Sequence, residues 1–301
     1  MGSTPNSPSA SSAGSAGGSR QAPAVRIGIN GVAGRMGRQL VSAVSERENC
    51  QLGVGLEVNG SPAVGTDARL LGALPDSSST AGDSPILVTD DLQSVSGEVD
   101  VFVDFSRPDG TMALLDTLMA SGHGALVIGT TGFSASEKQS IEKAATRLPL
   151  VMASNYSVGV TLCLELLKTT AAALGDDYDV EVIEAHHRNK IDAPSGTALS
   201  MGEAVANALG RDLDTCAVYG REGNTGVRSR TEIGFETIRA GDIIGDHTVL
   251  FAGDGERIEI THRATDRMAF ARGAIRAAEW LAGQPAGLYD MSDVIGLGKR
   301  V

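Results

Sequence analysis

Two histidines, an arginine and a lysine fall within five residues of an otherwise acidic chain, where Ile183 to Leu199 reads IEAHHRNKIDAPSGTAL. Histidine titrates near neutral pH, and cationic neighbours loosen a lysine's proton. His186 and Lys190, with Arg188 between them, therefore suit proton transfer. A Ser-Gly-Thr follows, just ahead of an apolar periodicity of helical spacing. Ser195 or Thr197 can cap that helix, and the N–H groups near Gly196 and Thr197 make an anion site. The stretch can thus hold a carboxylate beside a proton donor; a solvated basic turn in front of a capped helix is the plainer reading. If the preceding strand runs through both histidines, their side chains point to opposite faces and are poor joint ligands for a metal. With no HExxH and no third histidine nearby, no metal site is expected.

A second stretch carries different chemistry. GVAGRMG, Gly31 to Gly37, places glycines at 31, 34 and 37, a GxxGxxG rather than the strict GxGxxG. It follows a short β-rich run, Val25 to Ile29, and opens a helix, and Glu57 lies at the end of the next strand. Absent side chains let a pyrophosphate approach the backbone, the helix N-terminus holds its charge, and Glu57 can accept from ribose hydroxyls. The alternative is a tight strand-to-helix turn whose glycines serve packing. Glu57 would repel a 2′-phosphate, and Val58 and Asn59 add no positive charge. The loop therefore leans towards NADH, with NADPH open only through Arg35 or Arg38. GTTG at 129–132 and ASNYS at 153–157 also end strands, where an open α/β sheet has its ligand crevice.

Strands and helices must position these groups. VDVFVDFS and GALVIGTTG are continuous apolar strands of the kind buried in parallel sheets. GTMALLDTLMASG and SASEKQSIEKAATRL read as helices, the second with a Ser-x-x-Glu start. Strand and helix alternate from 25 to about 155, which predicts a doubly wound α/β domain. A helix near 158–174 follows, then the strand YDVEVIEAHH and a helix near 197–209. HTVLFAG-DG-ERIEITHRA is a hairpin with an Asp-Gly turn. Strands without intervening helices predict an α+β body with an open mixed sheet, largely antiparallel, one face of which needs cover. MAFARGAIRAAEWLAG is a final helix that can return to the first domain. The expected division is a disordered tail at 1–24, a dinucleotide-binding domain at 25–157 and 268–301, and a substrate-binding and oligomerisation domain at 158–267.

Composition bounds the partners. The chain has 301 residues, a formal net charge of −12 and 38 glycines. That acidity argues against a nucleic-acid or anionic-membrane surface. No apolar run approaches the roughly 18 residues of a spanning helix. Cys50, Cys163 and Cys216 are isolated and odd in number, which fits a reducing compartment. Residues 2–24 are almost all Gly, Ser, Ala and Pro, with one basic residue, Arg20, so a flexible tail is expected and organelle targeting is left open.

The block EAHHRNKIDAPSGTAL resembles the signature of the 4-hydroxy-tetrahydrodipicolinate (dihydrodipicolinate) reductases. The resemblance extends from residue 25 to about 297 through GVAGRMGRQL, VFVDFSRPDGT, VIGTTGF, SNYSVGV, REGNTGVR and GLYDMSDVIGL. It implies an NADH- or NADPH-dependent oxidoreductase of diaminopimelate and lysine biosynthesis. Such an enzyme is cytoplasmic and homotetrameric through the second domain's sheet, and it acts on a small cyclic dicarboxylate. By matching motif, His186 would be the general acid/base and Lys190 the proton donor to the reduced ring. His187, Gly196 and Thr197 would contact substrate carboxylate. Gly31, Val32, Ala33, Gly34, Arg35, Met36, Glu57, Gly129, Thr130, Thr131, Ala153, Ser154, Asn155 and Tyr156 would contact the cofactor. Val58 stands where members that use NADPH well often carry Arg, and Tyr156 where Phe is commoner. A different two-domain dehydrogenase, or a nucleotide sensor without catalysis, would lack the HHRNK block.

Overall fold

A computed structural model of the chain describes residues 23–72, 84–95 and 97–298. The expected tail, apart from Pro23 and Ala24, lies outside the described residues.

The first half is built as the alternation requires. In chain order it comprises β1 (Val25–Asn30), α1 (Arg35–Ser45), β2 (Cys50–Leu56), β3 (Val88–Thr89), α2 (Leu92–Val95), β4 (Val101–Asp104), α3 (Pro108–Ser121), β5 (Ala125–Ile128), α4 (Ala135–Ala145) and β6 (Pro149–Met152). The apolar runs of β4 and β5 are buried at every position, because helices cover both faces of a parallel sheet. The helices begin where their sequences offer caps. Ser134 and Glu137 form a reciprocal capping box on α4, and α3 starts with Pro108 and stops at the left-handed Gly122.

The second half comprises α5 (Val158–Leu174), β7 (Asp179–His186), α6 (Gly196–Ala208), α7 (Leu213–Cys216), β8 (Ala217–Tyr219), β9 (Ile233–Arg239), β10 (Gly245–Gly253) and β11 (Glu256–Ala264). The chain then returns through α8 (Met268–Leu281), β12 (Gly287–Tyr289) and α9 (Met291–Val294). β12 pairs with β6, so the first sheet has seven parallel strands in the order β12-β6-β5-β4-β1-β2-β3. Reversal of direction on either side of β1 places a ligand crevice at the strands' carboxyl ends. The short strands β3 and β12 were not legible beforehand, since two or three residues carry no period.

The second sheet runs β11-β10-β7-β9-β8. The β10–β11 hairpin forms about the Asp254-Gly255 turn, and β10 also pairs antiparallel with β7. β7–β9 and β8–β9 are parallel, so the sheet is evenly mixed rather than largely antiparallel. The reason is that β9, although it precedes β10 directly, crosses to the far side of β7.

Three apolar cores hold this together. Ile27, Ile29 and Leu40 pack with Ala274, Ile275 and Leu281 of α8 on one face of the first sheet. Phe102, Leu114, Leu126 and Ile141 fill the other face. Val180, Val182, Met201, Phe235 and Phe251 fill the second half. Each Val, Leu, Ile, Met or Phe among them, once buried, contributes about 1.5–3 kcal/mol.

α5 qualifies one sequence expectation. With the turn after it, Val158–Asp177 is long and apolar enough to cross a membrane by length and composition, at a mean hydropathy of 1.4. Glu165 and Lys168 interrupt the apolar run but pair with each other, and the helix packs on α6, β11 and α9. Its apolarity is that of a helix between the two halves, with Leu162 and Leu166 left exposed.

Candidate active site

Ser195 ends the loop after β7 and caps α6, its hydroxyl accepting from the Ala198 N–H at 3.1 Å. The first N–H groups of α6 therefore begin at Gly196 and Thr197, facing outward from a helix N-terminus. Thr197 Oγ1 accepts from Asn155 Nδ2 at 3.1 Å, which joins the end of β6 to the start of α6. Between them lies a cleft of about 720 Å³. Thr131, Ala153, Ser154 and Asn155 line it from the first half, and His186, Lys190, Ser195, Gly196 and Thr197 from the second. Asp290, Met291 and Ser292, from the returning segment, close it. Neither the residue types nor the spacing of that segment had marked it as part of a site.

β7 alternates strictly, with Val180, Val182, Glu184 and His186 turned inward. His186 thus reaches the cleft from a buried face, whereas His187 turns the other way and does not line it. Arg267 Nη2 lies 3.4 Å from His187 Nε2, a pairing of a cation with a histidine that the sequence did not suggest. Lys190 lines the cleft with its ammonium on both oxygens of Asp192, at 2.8 and 2.7 Å. That pairing holds the Asp192 carboxyl below its usual value, with burial opposing.

Behind His186 is a polar cluster that had not been expected, although Glu184 is a same-face neighbour two residues away. His186 Nδ1 meets Glu184 Oε2 at 2.5 Å. Arg239, at the end of β9, grips the same carboxylate with Nη1 at 2.9 Å and Nη2 at 2.8 Å. The Ser195 N–H and the Thr237 hydroxyl add bonds to Oε1. Burial would raise the Glu184 carboxyl, but the bonds from Arg239 and His186 outweigh it and leave it below its ordinary value. Burial pushes His186 down, and Glu184 only partly offsets this. His247 on β10 stacks edge-on against His186 at 5.0 Å and bonds Ser195 Oγ through Nε2 at 2.9 Å. Burial first, then His186, pushes His247 down to about 4.

The glycine loop is a separate cradle at the ends of β1 and β2. Gly31 has φ +74°, which favours glycine, and a Cβ at Gly37 would overlap the Gly31 and Val32 carbonyls. Gly34 caps α1 without any side chain, and the N–H groups of Arg35 and Met36 have no acceptor among the described residues. Val32 is buried, Arg35 is exposed, and Glu57 Oε1 accepts from the Ala33 N–H at 2.9 Å. A bare helix N-terminus, a backbone that only glycine permits and a carboxylate at the next strand's end together fit a dinucleotide. Val58, beside Glu57, is 74% exposed.

The remaining predicted residues fall into two groups. Thr131 and residues 153–155 reach the cleft, whereas Gly129 and Thr130 lie behind it. A Cβ at Gly129 would overlap the Phe105 ring, and Thr130 is buried against Asp104, which also takes bonds from Asn30, Ser106 and Thr111. Tyr156 is a core residue whose hydroxyl donates to the Ile128 carbonyl at 2.8 Å. Among the described residues no cluster of His, Cys, Asp and Glu is arranged to hold a metal.

Known proteins share this pattern across both halves. A family model described as "Dihydrodipicolinate reductase, N-terminus" matches residues 25–156, and its C-terminal counterpart matches 159–295. A 4-hydroxy-tetrahydrodipicolinate reductase of Alkalilimnicola ehrlichii is 54% identical over 272 residues, 90% of this chain and 99% of the relative. Among solved structures, a dipicolinate-bound dihydrodipicolinate reductase from Paenisporosarcina sp. TG-14 superposes with a TM-score of 0.71 at 24% identity. That match spans 90% of this chain and 99% of the other and establishes a shared fold.

Proposed function

The chain belongs to the dihydrodipicolinate reductase family, and we propose that its cleft reduces 4-hydroxy-tetrahydrodipicolinate, or its dehydrated form, to tetrahydrodipicolinate in diaminopimelate and lysine biosynthesis. It is an oxidoreductase that uses NADH or NADPH. The observation that carries the reading is the cleft itself. It sets Lys190, His186 and an open helix N-terminus against the strand ends of a dinucleotide-binding sheet.

Each group then has a task. Gly31–Met36 and Glu57 would hold the phosphates and ribose of the dinucleotide, and Thr131 and residues 153–155 its nicotinamide end; when bound it would supply hydride to a conjugated ring carbon. The α6 N-terminus at Gly196 and Thr197 receives a substrate carboxylate, which accounts for local positive charge in an acidic chain. His187, beside Arg267 and outside the cleft lining, would meet the other carboxylate only when the two halves close about the substrate. Lys190 gives the ring its proton, leaving Asp192 to do so, and His186 serves as acid/base. NADH is the preferred cofactor, because Glu57 is a carboxylate and Val58 no cation. Residues 25–157 with 268–301 act as the cofactor body and 158–267 as the substrate body, hinged near 157 and 267. β11 and the exposed face of α5 are the surface through which a tetramer forms. The enzyme works in the cytoplasm.

The test generates the substrate in situ from pyruvate and aspartate semialdehyde with a synthase and follows loss of NADH or NADPH absorbance. Oxidation that needs every component, and that falls by at least about 10²-fold in Lys190→Ala with cofactor binding intact, is the expected result. Folded protein that binds NADH and oxidises neither cofactor would remove the proposal.

A further inference from the structure

The least exposed charge in the second half is not one of the two residues assigned to proton transfer. Glu184 is 1% exposed, and every lone pair of its carboxylate faces a donor. Oε1 takes Arg239 Nη2 at 2.8 Å, Thr237 Oγ1 at 3.2 Å and the Ser195 N–H at 3.3 Å. Oε2 takes Arg239 Nη1 at 2.9 Å and faces His186 Nδ1 at 2.5 Å. An ionised carboxylate accepts and cannot donate, so the proton in the last contact belongs to His186 Nδ1. In the neutral ring the other nitrogen, Nε2, then carries the lone pair. It makes no hydrogen bond among the described residues, and it is the nitrogen left for the cleft that His186 lines.

We infer that Glu184, clamped by Arg239, is a positioning residue that holds His186 in its Nδ1–H tautomer and presents Nε2 to the cleft as a proton acceptor. The inference rests on the reductase reading of the cleft and divides the labour within it. His186 in this state can take a proton but has none at Nε2 to give, so the proton delivered to the ring comes from Lys190. A proton taken at Nε2 makes an imidazolium that faces the Glu184 carboxylate directly. The groups around the ring are Glu184 on its own strand, Arg239 on β9, His247 on β10 and Lys190 from the following loop. Of these only Glu184 bonds a ring nitrogen.

Glu184→Gln tests this, because the amide has a single oxygen. Oε1 answers three donors and Oε2 two, so the amide oxygen takes the Oε1 position and its NH₂ meets His186 Nδ1. Nδ1 must then accept, and the ring proton moves to Nε2. Long-range ¹H–¹⁵N correlation on histidine-labelled full-length protein reads the tautomer, with His186 assigned by its loss in His186→Gln. The expected result is pyrrole-type Nδ1 and pyridine-type Nε2 in wild type, reversed in Glu184→Gln. With the wrong tautomer, kcat should fall by about 10²-fold or more while KM stays within roughly threefold. An Nε2–H or evenly mixed tautomer in wild type overturns the inference, as does unchanged kcat in Glu184→Gln. Should Glu184→Gln fail to fold, the wild-type spectrum still decides. Arg239→Lys then serves as the second variant, retaining the Nδ1–H tautomer but losing the two-pronged grip and part of kcat. Absence of turnover in wild type would remove the reductase reading, whereas the spectrum tests the tautomer alone.

Discussion

Asp104 ends β4 with its side chain completely buried, and replacing it tests whether the cofactor half needs a charge there or only acceptors in the right places. Oδ1 accepts from Asn30 Nδ2 at 3.1 Å and the Ser106 N–H at 3.0 Å. Oδ2 accepts from the Thr111 hydroxyl and, at 3.4 Å, from the Thr130 hydroxyl. The carboxylate thereby ties together the ends of β1, β4 and β5, one residue away from the glycine loop. Burial raises this carboxyl above its ordinary 3.8 despite the bonds from Ser106, Thr111 and Asn30. In Asp104→Asn the amide oxygen can keep the Oδ1 bonds. The NH₂ can donate to both threonine hydroxyls, and Thr111 can turn to donate to the Arg107 carbonyl at 3.2 Å. The asparagine variant should therefore stay within about 1 kcal/mol of wild type. Asp104→Ala orphans the Ser106 N–H and the Thr130 hydroxyl, at about 1–3 kcal/mol each, so about 2–6 kcal/mol in all. Urea unfolding measures both. Loosened strand ends also weaken NADH binding, by about tenfold for each 1.4 kcal/mol of order lost. A pH series adds a sign. The native state holds this proton more tightly than the unfolded one, so the wild type's contribution from Asp104 falls as pH rises from 3.8 through the raised folded value. Asp104→Asn lacks that loss and should compare less favourably with wild type at acid pH than at neutral pH. If Asp104→Asn is as unstable as Asp104→Ala, charge rather than acceptor geometry holds the strand ends, and the reasoning fails.

Three further expectations follow from single contacts. A Cβ at Gly273 would overlap the Tyr156 carbonyl, where α8 crosses the junction between the halves; Gly273→Ala should cost about 1–3 kcal/mol in urea unfolding, and a change below 0.5 kcal/mol would show that α8 can slide freely. His247 titrates at 6.5 unfolded and about 4 folded, so stability is lost as pH falls through that window, by up to about 3 kcal/mol. His247→Gln should flatten that acid limb, and an unaltered limb would assign it to other groups. Val58→Arg should raise the NADPH to NADH ratio of kcat/KM roughly fivefold, the worth of an exposed ion pair near 1 kcal/mol; a ratio that does not move would place phosphate discrimination elsewhere.

The alternation of β1, β2, β4, β5 and β6 with α1, α3 and α4 could be read from the sequence, and so could the Ser134–Glu137 box, the Ser195 cap and the Asp254-Gly255 hairpin turn. These are local properties: caps and turns span three or four residues, and burial repeats with the period of the element. The HHRNK block and the glycine loop were legible for the same reason, as chemistry crowded into a few consecutive residues. Glu184 stood within reach, two positions from His186, and was passed over because a strand acid has no functional spacing of its own. Arg239 and His247 had no such signal. They meet the Glu184–His186 pair only because β9 and β10, consecutive in the chain, lie on opposite sides of β7. Likewise Asn155 reaches Thr197, and Asp290 reaches the cleft, through the packing of one half on the other. The sequence by itself thus determined which elements form and which residues carry reactivity, since short-range hydrogen bonding and periodicity decide both. Only the tertiary structure decided which distant side chains orient them, because strand order is set by how whole apolar faces are buried together.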